Sequence, residues 1–230
     1  MTTPTTTTQS WKITCQKYLH YLKNNPQYLG GALACLFVVG GGFYYHRTTV
    51  IKQEQAAYAV LSDCLAEYDQ AASGASEWKD VSAMCQSGYE KYSSTKVAPY
   101  ILDIQADALL AQDKKEEAME ILSMMLSKVG NNSPLYSLYK LKLGLLKTDI
   151  ADEATKTAGI LDLELLAADT RNQYRDVAQY YLGSYYREHG QKDKAVTVWK
   201  ELIAMNDNLA DKQSASPWAS MAQEKINGLA

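Results

Sequence analysis

The spacing of apolar residues constrains the fold most, because it follows a helical period over nearly all of residues 48–230. Ala118, Ile121, Leu122 and Met125, for example, recur at steps of three and four, which places them on one face of a helix. No stretch alternates apolar and polar residues for long enough to make a strand. Gly and Pro, which sheet-rich proteins need for their many turns, number only 13 and 5. We therefore predict an all-α fold.

The predicted helices are short and come in pairs. A first hairpin covers 51–92 and turns at 73–76. Three further pairs and a last helix opened by Ser216-Pro217 follow: 99–111 with 115–129, 135–147 with 152–168, and 174–189 with 192–205. Helix pairs that recur about every 35 residues indicate a helical solenoid.

The last of these pairs resembles the tetratricopeptide repeat. Its first helix has Leu182-Gly183 and Tyr186, and its second has Ala195 and Trp199. A small residue beside an aromatic one suits two helices that cross closely, because only small residues let the backbones approach. The resemblance implies a tetratricopeptide-like domain over 48–230 that binds other proteins.

The other pairs match that pattern less well. The pair within 99–129 has Ala106 and Ala118 at the small positions. In the pair within 135–168, Lys142 stands where a small residue is expected, so we expect looser packing there. The hairpin within 51–92 matches only as two helices.

The resemblance also implies a binding groove, because the first helix of each tetratricopeptide pair lines the inner surface. Tyr and Arg contribute disproportionately to the energy of protein interfaces. Candidate groove residues on the first helices are Tyr100, Tyr136, Tyr139, Tyr180 and Arg187. The alternative is that these tyrosines only fill the solenoid, and the sequence leaves both interpretations open.

Residues 28–45 contain no charge over eighteen positions and end in Phe43-Tyr44-Tyr45. As a helix they span roughly 27 Å, close to the hydrocarbon thickness of a bilayer. A buried core helix usually shows a polar stripe, and the aromatic end followed by His46-Arg47 suits a signal peptidase badly. We therefore predict one permanent transmembrane helix in contact with membrane lipid.

The charges predict the orientation. Residues 1–27 contain Lys12, Lys17 and Lys23 and no acid, so this partly disordered tail is expected to stay in the cytoplasm. Residues 11–24 are either a juxtamembrane helix or a loose tether. Residues 48–230 then lie outside the cytoplasm with 19 basic and 26 acidic side chains, a balance of −7. Nucleic-acid binding is excluded as a function, since it needs clustered Lys and Arg.

Catalytic, cofactor-binding and metal-binding motifs are missing from the sequence. The three histidines stand alone, and the sequence has neither a Cys-x-x-Cys pair nor a phosphate-binding glycine loop. No Ser–His–Asp set can be assembled. We therefore predict no enzyme activity, no cofactor and no metal.

Cys64 and Cys85 lie about ten residues on either side of the 73–76 turn and would face each other in a hairpin. Outside the cytoplasm such a pair can oxidise to a disulfide. Two small buried thiols are the alternative.

The whole layout is similar to that of the YfgM-type inner-membrane proteins, which are ancillary subunits of the Sec translocon. The resemblance rests on the basic tail, the single span, the tetratricopeptide-like domain and the terminal sequence from Lys225 to Leu229. It implies a bacterial inner-membrane protein with a periplasmic domain that assists protein translocation or envelope-protein folding. Implied partners are translocon subunits or a periplasmic chaperone, and emerging client chains. A general scaffold for another envelope complex is the alternative.

Overall fold

The fold consists of helices throughout the described part of the chain. A computed structural model describes residues 26–131, 133–207 and 216–229. Within these ranges it has nine α-helices and no strand, which confirms the all-α prediction. The helices are α1 (Pro26–Ala72), α2 (Trp78–Tyr92), α3 (Ala98–Ala111), α4 (Lys115–Lys128), α5 (Pro134–Thr148), α6 (Glu153–Ala168), α7 (Arg175–Glu188), α8 (Lys192–Asp207) and α9 (Pro217–Asn227).

Helix α1 is much longer than the others, with 47 residues. It is continuous because neither Gly nor Pro interrupts the chain between Tyr45 and Ala56. The chain divides into two units, Met1–Gln55 and Ala56–Ala230.

The first unit contains the predicted transmembrane segment. Within the described residues, no helix has the length and apolar character needed to cross a lipid bilayer. The side chains of residues 28–30 and 32–33, which belong to the predicted span, lie outside the described set. The predicted cytoplasmic tail also lies outside it up to residue 25.

The second unit is a solenoid in which each helix from α2 to α8 packs against the next helix in sequence. The last helix, α9, also contacts α7. Its buried side chains form three successive cores. The first core joins the end of α1 to α2 and α3. The second joins α3, α4 and α5. The third joins α5 to α9 and includes Trp199, which is fully buried.

Glycines mark the closest crossings of paired helices. A Cβ on Gly183 of α7 would lie 2.6 Å from Cδ1 of Trp199 on α8. A Cβ on Gly88 of α2 would meet the side chain of Val60 on α1. Because real Cβ contacts are much longer, these pairs pack as closely as they do only with glycine at these positions.

The pair α5–α6 crosses in the same way, which corrects the expectation of loose packing around Lys142. A Cβ on Gly159 would lie 2.7 Å from Cβ of Lys147 and 2.8 Å from the carbonyl oxygen of Gly144. Gly144 and Gly159 therefore provide the small surfaces of this crossing. Lys142 lies on another face of α5 and points towards α3.

Candidate functional site

One candidate site is a cavity of about 780 Å³ that we name the tyrosine cavity. One stripe of α7, at positions 181, 184, 185 and 188, provides much of its lining. These positions are three or four residues apart and therefore share a face of the helix, away from the Gly183 crossing. The end of α5, the side chains of Lys156 and Leu163 on α6, and Lys225 on α9 complete the lining.

Aromatic rings line the tyrosine cavity. The rings of Tyr180 and Tyr181, which both line it, meet edge to face with centroids 5.5 Å apart. The ring of Trp218 does not line the cavity but packs against these two rings, with centroids 5.1 Å and 5.6 Å away. Tyr185 stacks on the imidazole of His189 at 3.9 Å. Contacts between such rings hold them rigid, so they offer a preformed apolar surface at little entropic cost.

Cations stand at the rim of the tyrosine cavity. Lys156 is paired with Glu153 at 2.6 Å, and the Arg187 guanidinium lies 3.7 Å from Glu188 and 6.0 Å from the Trp199 ring. Lys225 forms no ion pair with any residue that the structure describes. One ammonium group is thus available to an incoming ligand.

The five candidate groove residues do not share one site. Tyr180 and Arg187 both line the tyrosine cavity, although Tyr180 is largely buried beneath Tyr181 and Trp218. Tyr100 is 44% exposed and lines a separate cavity of about 510 Å³. Tyr136 is half-buried against the second core, and Tyr139 is inside it at 1% exposure. Tyr139 therefore offers no ring to a partner.

Sequence reasoning missed Tyr181, Tyr185 and Lys225. The first two could have been found, because the run 181, 184, 185 and 188 has the period of a helix face. Lys225 could not, since only the packing of α9 on α7 brings it to this cavity.

A charged cluster lies where α3 and α5 meet. The Lys142 ammonium donates to Asp103 at 2.6 Å and to Asp107 at 3.2 Å, and all three side chains are about one-third exposed. The cluster links the first helices of two successive pairs, so it fixes how one repeat stacks on the next.

The electrostatics of this cluster follow from partial burial. Burial raises the pKa of Asp107, and the nearby Lys142 charge only partly offsets the rise. For Lys142, burial alone would lower the pKa, but the hydrogen bond to Asp103 and the attraction of both carboxylates raise it overall. Burial raises the pKa of Tyr139, and the charge of Asp103 adds to the effect.

Cys64 and Cys85 are both fully buried, and both are free thiols in this structure. They lie in the first core, where the two thiols interact with each other. That interaction and burial raise the pKa of Cys85.

A metal site is not formed by the described residues, in which no three His, Cys, Asp or Glu side chains are grouped around a common point.

The features that the second unit does provide are stacked helix pairs, small-residue crossings and an aromatic cavity on the first helices. Together they define a repeat protein of the tetratricopeptide-like class.

The comparisons with known proteins agree with this class. The tetratricopeptide repeat family matches residues 177–208, which cover most of the α7–α8 pair. Similar solved structures include two crystal structures of a putative kinesin light chain from Podosopora anserina with nearly identical TPR-like repeats. One, of a substituted variant, has a TM-score of 0.52 at 14% identity and covers 79% of this chain and 84% of that chain. The other has a TM-score of 0.51 at 14% identity and covers 77% and 83%.

A search of the curated proteins finds no significant match. The structural likeness establishes the fold: this chain is an all-α, TPR-like solenoid. Repeats of this kind are protein-interaction modules, so the partners it indicates are other proteins.

Proposed function

We propose that this chain is a non-catalytic, membrane-anchored module that binds proteins through its tyrosine cavity. In this proposal it works beside the Sec translocon, where it assists protein translocation or the folding of envelope proteins. Its partners are translocon subunits or a periplasmic chaperone, together with emerging client chains. The observation that carries the proposal is the set of packed aromatic rings that lines the tyrosine cavity, beside a Lys225 ammonium that forms no ion pair with any residue the structure describes.

The chemistry of the tyrosine cavity supports a polypeptide ligand. Tyr, Trp and Arg are the residue types that dominate binding energy at protein interfaces, and Tyr181 is 37% exposed despite its size. The Lys225 ammonium would attract a carboxylate of the partner. A segment with one or two aromatic or aliphatic side chains next to an acidic group fits both features.

The exposed side chains of α1 support a lipid anchor. Leu36, Phe37, Val38 and Val39 are 68%, 79%, 75% and 70% exposed. Successive residues of a helix point about 100° apart, so these four cover its whole circumference. A helix that is apolar all round needs an apolar surrounding, and in this proposal lipid provides it. The resemblance to the YfgM-type proteins supports the translocon as the setting, and the basic tail supports a cytoplasmic N-terminus.

Membrane anchoring is tested by washing vesicles that contain the full chain with alkaline carbonate. The proposal expects the chain to stay in the membrane pellet, as a bilayer-spanning protein does. Release of the intact chain into the supernatant would refute the anchor and leave the binding proposal untouched.

Partner binding is tested by a matched pair of double variants. Tyr181→Ala with Tyr185→Ala removes two rings four residues apart on α7, inside the tyrosine cavity. Leu161→Ala with Leu165→Ala removes two side chains of the same spacing on α6, which are 55% and 53% exposed and do not line that cavity. Crosslinking in intact membranes, followed by mass spectrometry, measures the captured partners.

The proposal expects the tyrosine variant to lose most of the captured translocon subunits or chaperone, while the leucine variant keeps them. Equal capture by the two variants, with both folded by circular dichroism, would remove the tyrosine cavity as the binding site. Capture that depends on the tyrosines but brings only unrelated envelope proteins would favour the general scaffold.

A further inference from the structure

The pair of cysteines in the first hairpin is held in register by contacts on both sides. On one side, Gly88 of α2 lies against Val60 of α1, close enough that no Cβ could fit between them. On the other side, the rings of Tyr68 and Trp78 meet edge to face with centroids 5.0 Å apart. Cys64 lies midway between Val60 and Tyr68 on α1.

Cys85 lies on α2 between Trp78 and Gly88, and both cysteines are buried in the first core. A disulfide needs Cβ atoms about 3.8 Å apart, which two helices reach only at a very close crossing. Gly88, one turn from Cys85, lets α2 approach α1 closely beside the pair. The two thiols interact with each other, and this interaction together with burial raises the pKa of Cys85, as expected for the reduced form of a neighbouring pair.

We propose that Cys64 and Cys85 form an intramolecular disulfide that clamps α1 to α2. The inference rests on the proposed location only for its oxidising environment, since disulfides persist outside the cytoplasm. It does not depend on the tyrosine cavity or on any partner. Because the end of α1 packs into the first core with α2 and α3, the bond would secure the first repeat against unravelling.

The oxidation is a thiol–disulfide exchange with a thiol oxidase that carries a reactive disulfide. The thiolate of one cysteine attacks that disulfide and forms a mixed disulfide with the oxidase. The thiolate of the other cysteine then attacks the mixed disulfide, which forms the Cys64–Cys85 bond and releases the oxidase as a dithiol. Two electrons pass to the oxidase, and the two protons leave the cysteine thiols. Since both sulfurs are fully buried in the folded hairpin, the exchange takes place before the hairpin closes.

The test uses the full chain in detergent with Cys15→Ser and Cys35→Ser, so that only the buried pair remains. This protein is refolded in a glutathione redox buffer, denatured, and treated with iodoacetamide with or without prior reduction. The proposal expects no alkyl adducts before reduction and two afterwards, with the peptides containing positions 64 and 85 linked in the unreduced digest. Two adducts on most folded molecules before reduction would overturn it.

A variant without the pair provides the second measurement. Cys64→Ala with Cys85→Ala in the same background keeps two small apolar side chains in the first core. Reduction should lower the midpoint of thermal unfolding of the parent by several degrees and leave that of the variant unchanged. An unchanged midpoint in the parent would also overturn the clamp.

The same alkylation on freshly lysed cells separates this inference from the proposed location. A pair that is oxidised both in cells and in the refolded protein supports both statements. A pair that oxidises on refolding but is alkylated directly from cells supports the disulfide geometry and refutes the extracytoplasmic location.

Discussion

Gly183→Ala should destabilise the protein although alanine is the better helix former. A Cβ at this position would lie 2.6 Å from Cδ1 and 2.7 Å from Cε2 of Trp199. Carbon atoms pack at about 3.5–4.0 Å, so the indole must move by roughly 1 Å. Trp199 cannot move freely, because it is fully buried and its Nε1 donates to the carbonyl oxygen of Tyr180 at 3.1 Å.

The expected magnitude combines three contributions. Overpacking of a core costs about 1–3 kcal/mol, and a weakened hydrogen bond costs about 1 kcal/mol. Replacing Gly by Ala inside a helix returns about 1 kcal/mol. The net loss is about 2 kcal/mol, a large share of the ~5–15 kcal/mol that stabilises a typical domain.

The assay is urea unfolding of the full chain in detergent, followed by far-ultraviolet circular dichroism, with Gly144→Ala as the matched control. A Cβ on Gly144 would lie 3.3 Å from the flexible end of Leu163 and 3.4 Å from Cβ of Asp162. That control should change the stability by less than about 1 kcal/mol, because propensity offsets the mild crowding. A Gly183→Ala protein as stable as the wild type would refute the close crossing of α7 and α8.

Three further predictions concern the charged cluster and the last helix. Lys142→Met should lower the free energy of unfolding by about 1–2 kcal/mol in urea at neutral pH, because it leaves two partly buried carboxylates next to each other without their cation. Lys140→Met is the control and should cost less, because it removes only the 3.7 Å ion pair with Asp162. The pKa of Asp107 in the folded protein is raised above 3.8, so its contribution to the free energy of unfolding is present below pH 3.8 and is lost as the pH rises through the pKa of the folded state. The urea midpoint of the wild type should therefore fall over this pH range, and that of Asp107→Asn should not. Identical pH profiles of the two urea midpoints would contradict the raised pKa of Asp107. Ser216→Ala should cost about 1 kcal/mol, because its hydroxyl oxygen accepts from the Trp218 amide at the start of α9; an unchanged thermal midpoint would show that this cap is not needed.

The order and length of the helices could be predicted from the sequence. Apolar spacing placed α3 to α8 within two residues of their observed ends. Ser216-Pro217 marked the start of α9 correctly, because a serine followed by proline satisfies the first turn of a helix. Local patterns of this kind depend only on neighbours along the chain.

The faces used by α5 could not be predicted. Its sequence, PLYSLYKLKLGLLKT, is apolar nearly all round, so periodicity alone does not say which side crosses α6 and which side meets α3. As a result the sequence predicts Lys142 at the crossing that Gly144 and Gly159 form, whereas Lys142 lies on another face of α5. It also predicts Tyr139 in the groove, whereas the structure buries that ring in the second core.

The different roles of Tyr180 and Tyr181 could not be predicted for the same reason. Tyr180 and Tyr181 are adjacent, and side chains of adjacent helical residues point about 100° apart. Tyr180 belongs largely to the packing face and Tyr181 to the lining of the tyrosine cavity. Only the docking of α9, with Trp218 against both rings, distinguishes their roles.

The most direct test of the binding role is site-specific photo-crosslinking in intact membranes, with a photoreactive amino acid at position 181 or, as a control, at position 161. Both positions are exposed, but only the first lines the tyrosine cavity. We expect a translocon subunit, a chaperone or a client chain to be captured from position 181 and not from position 161. Capture of the same partners from both positions, or from position 161 alone, would contradict the account.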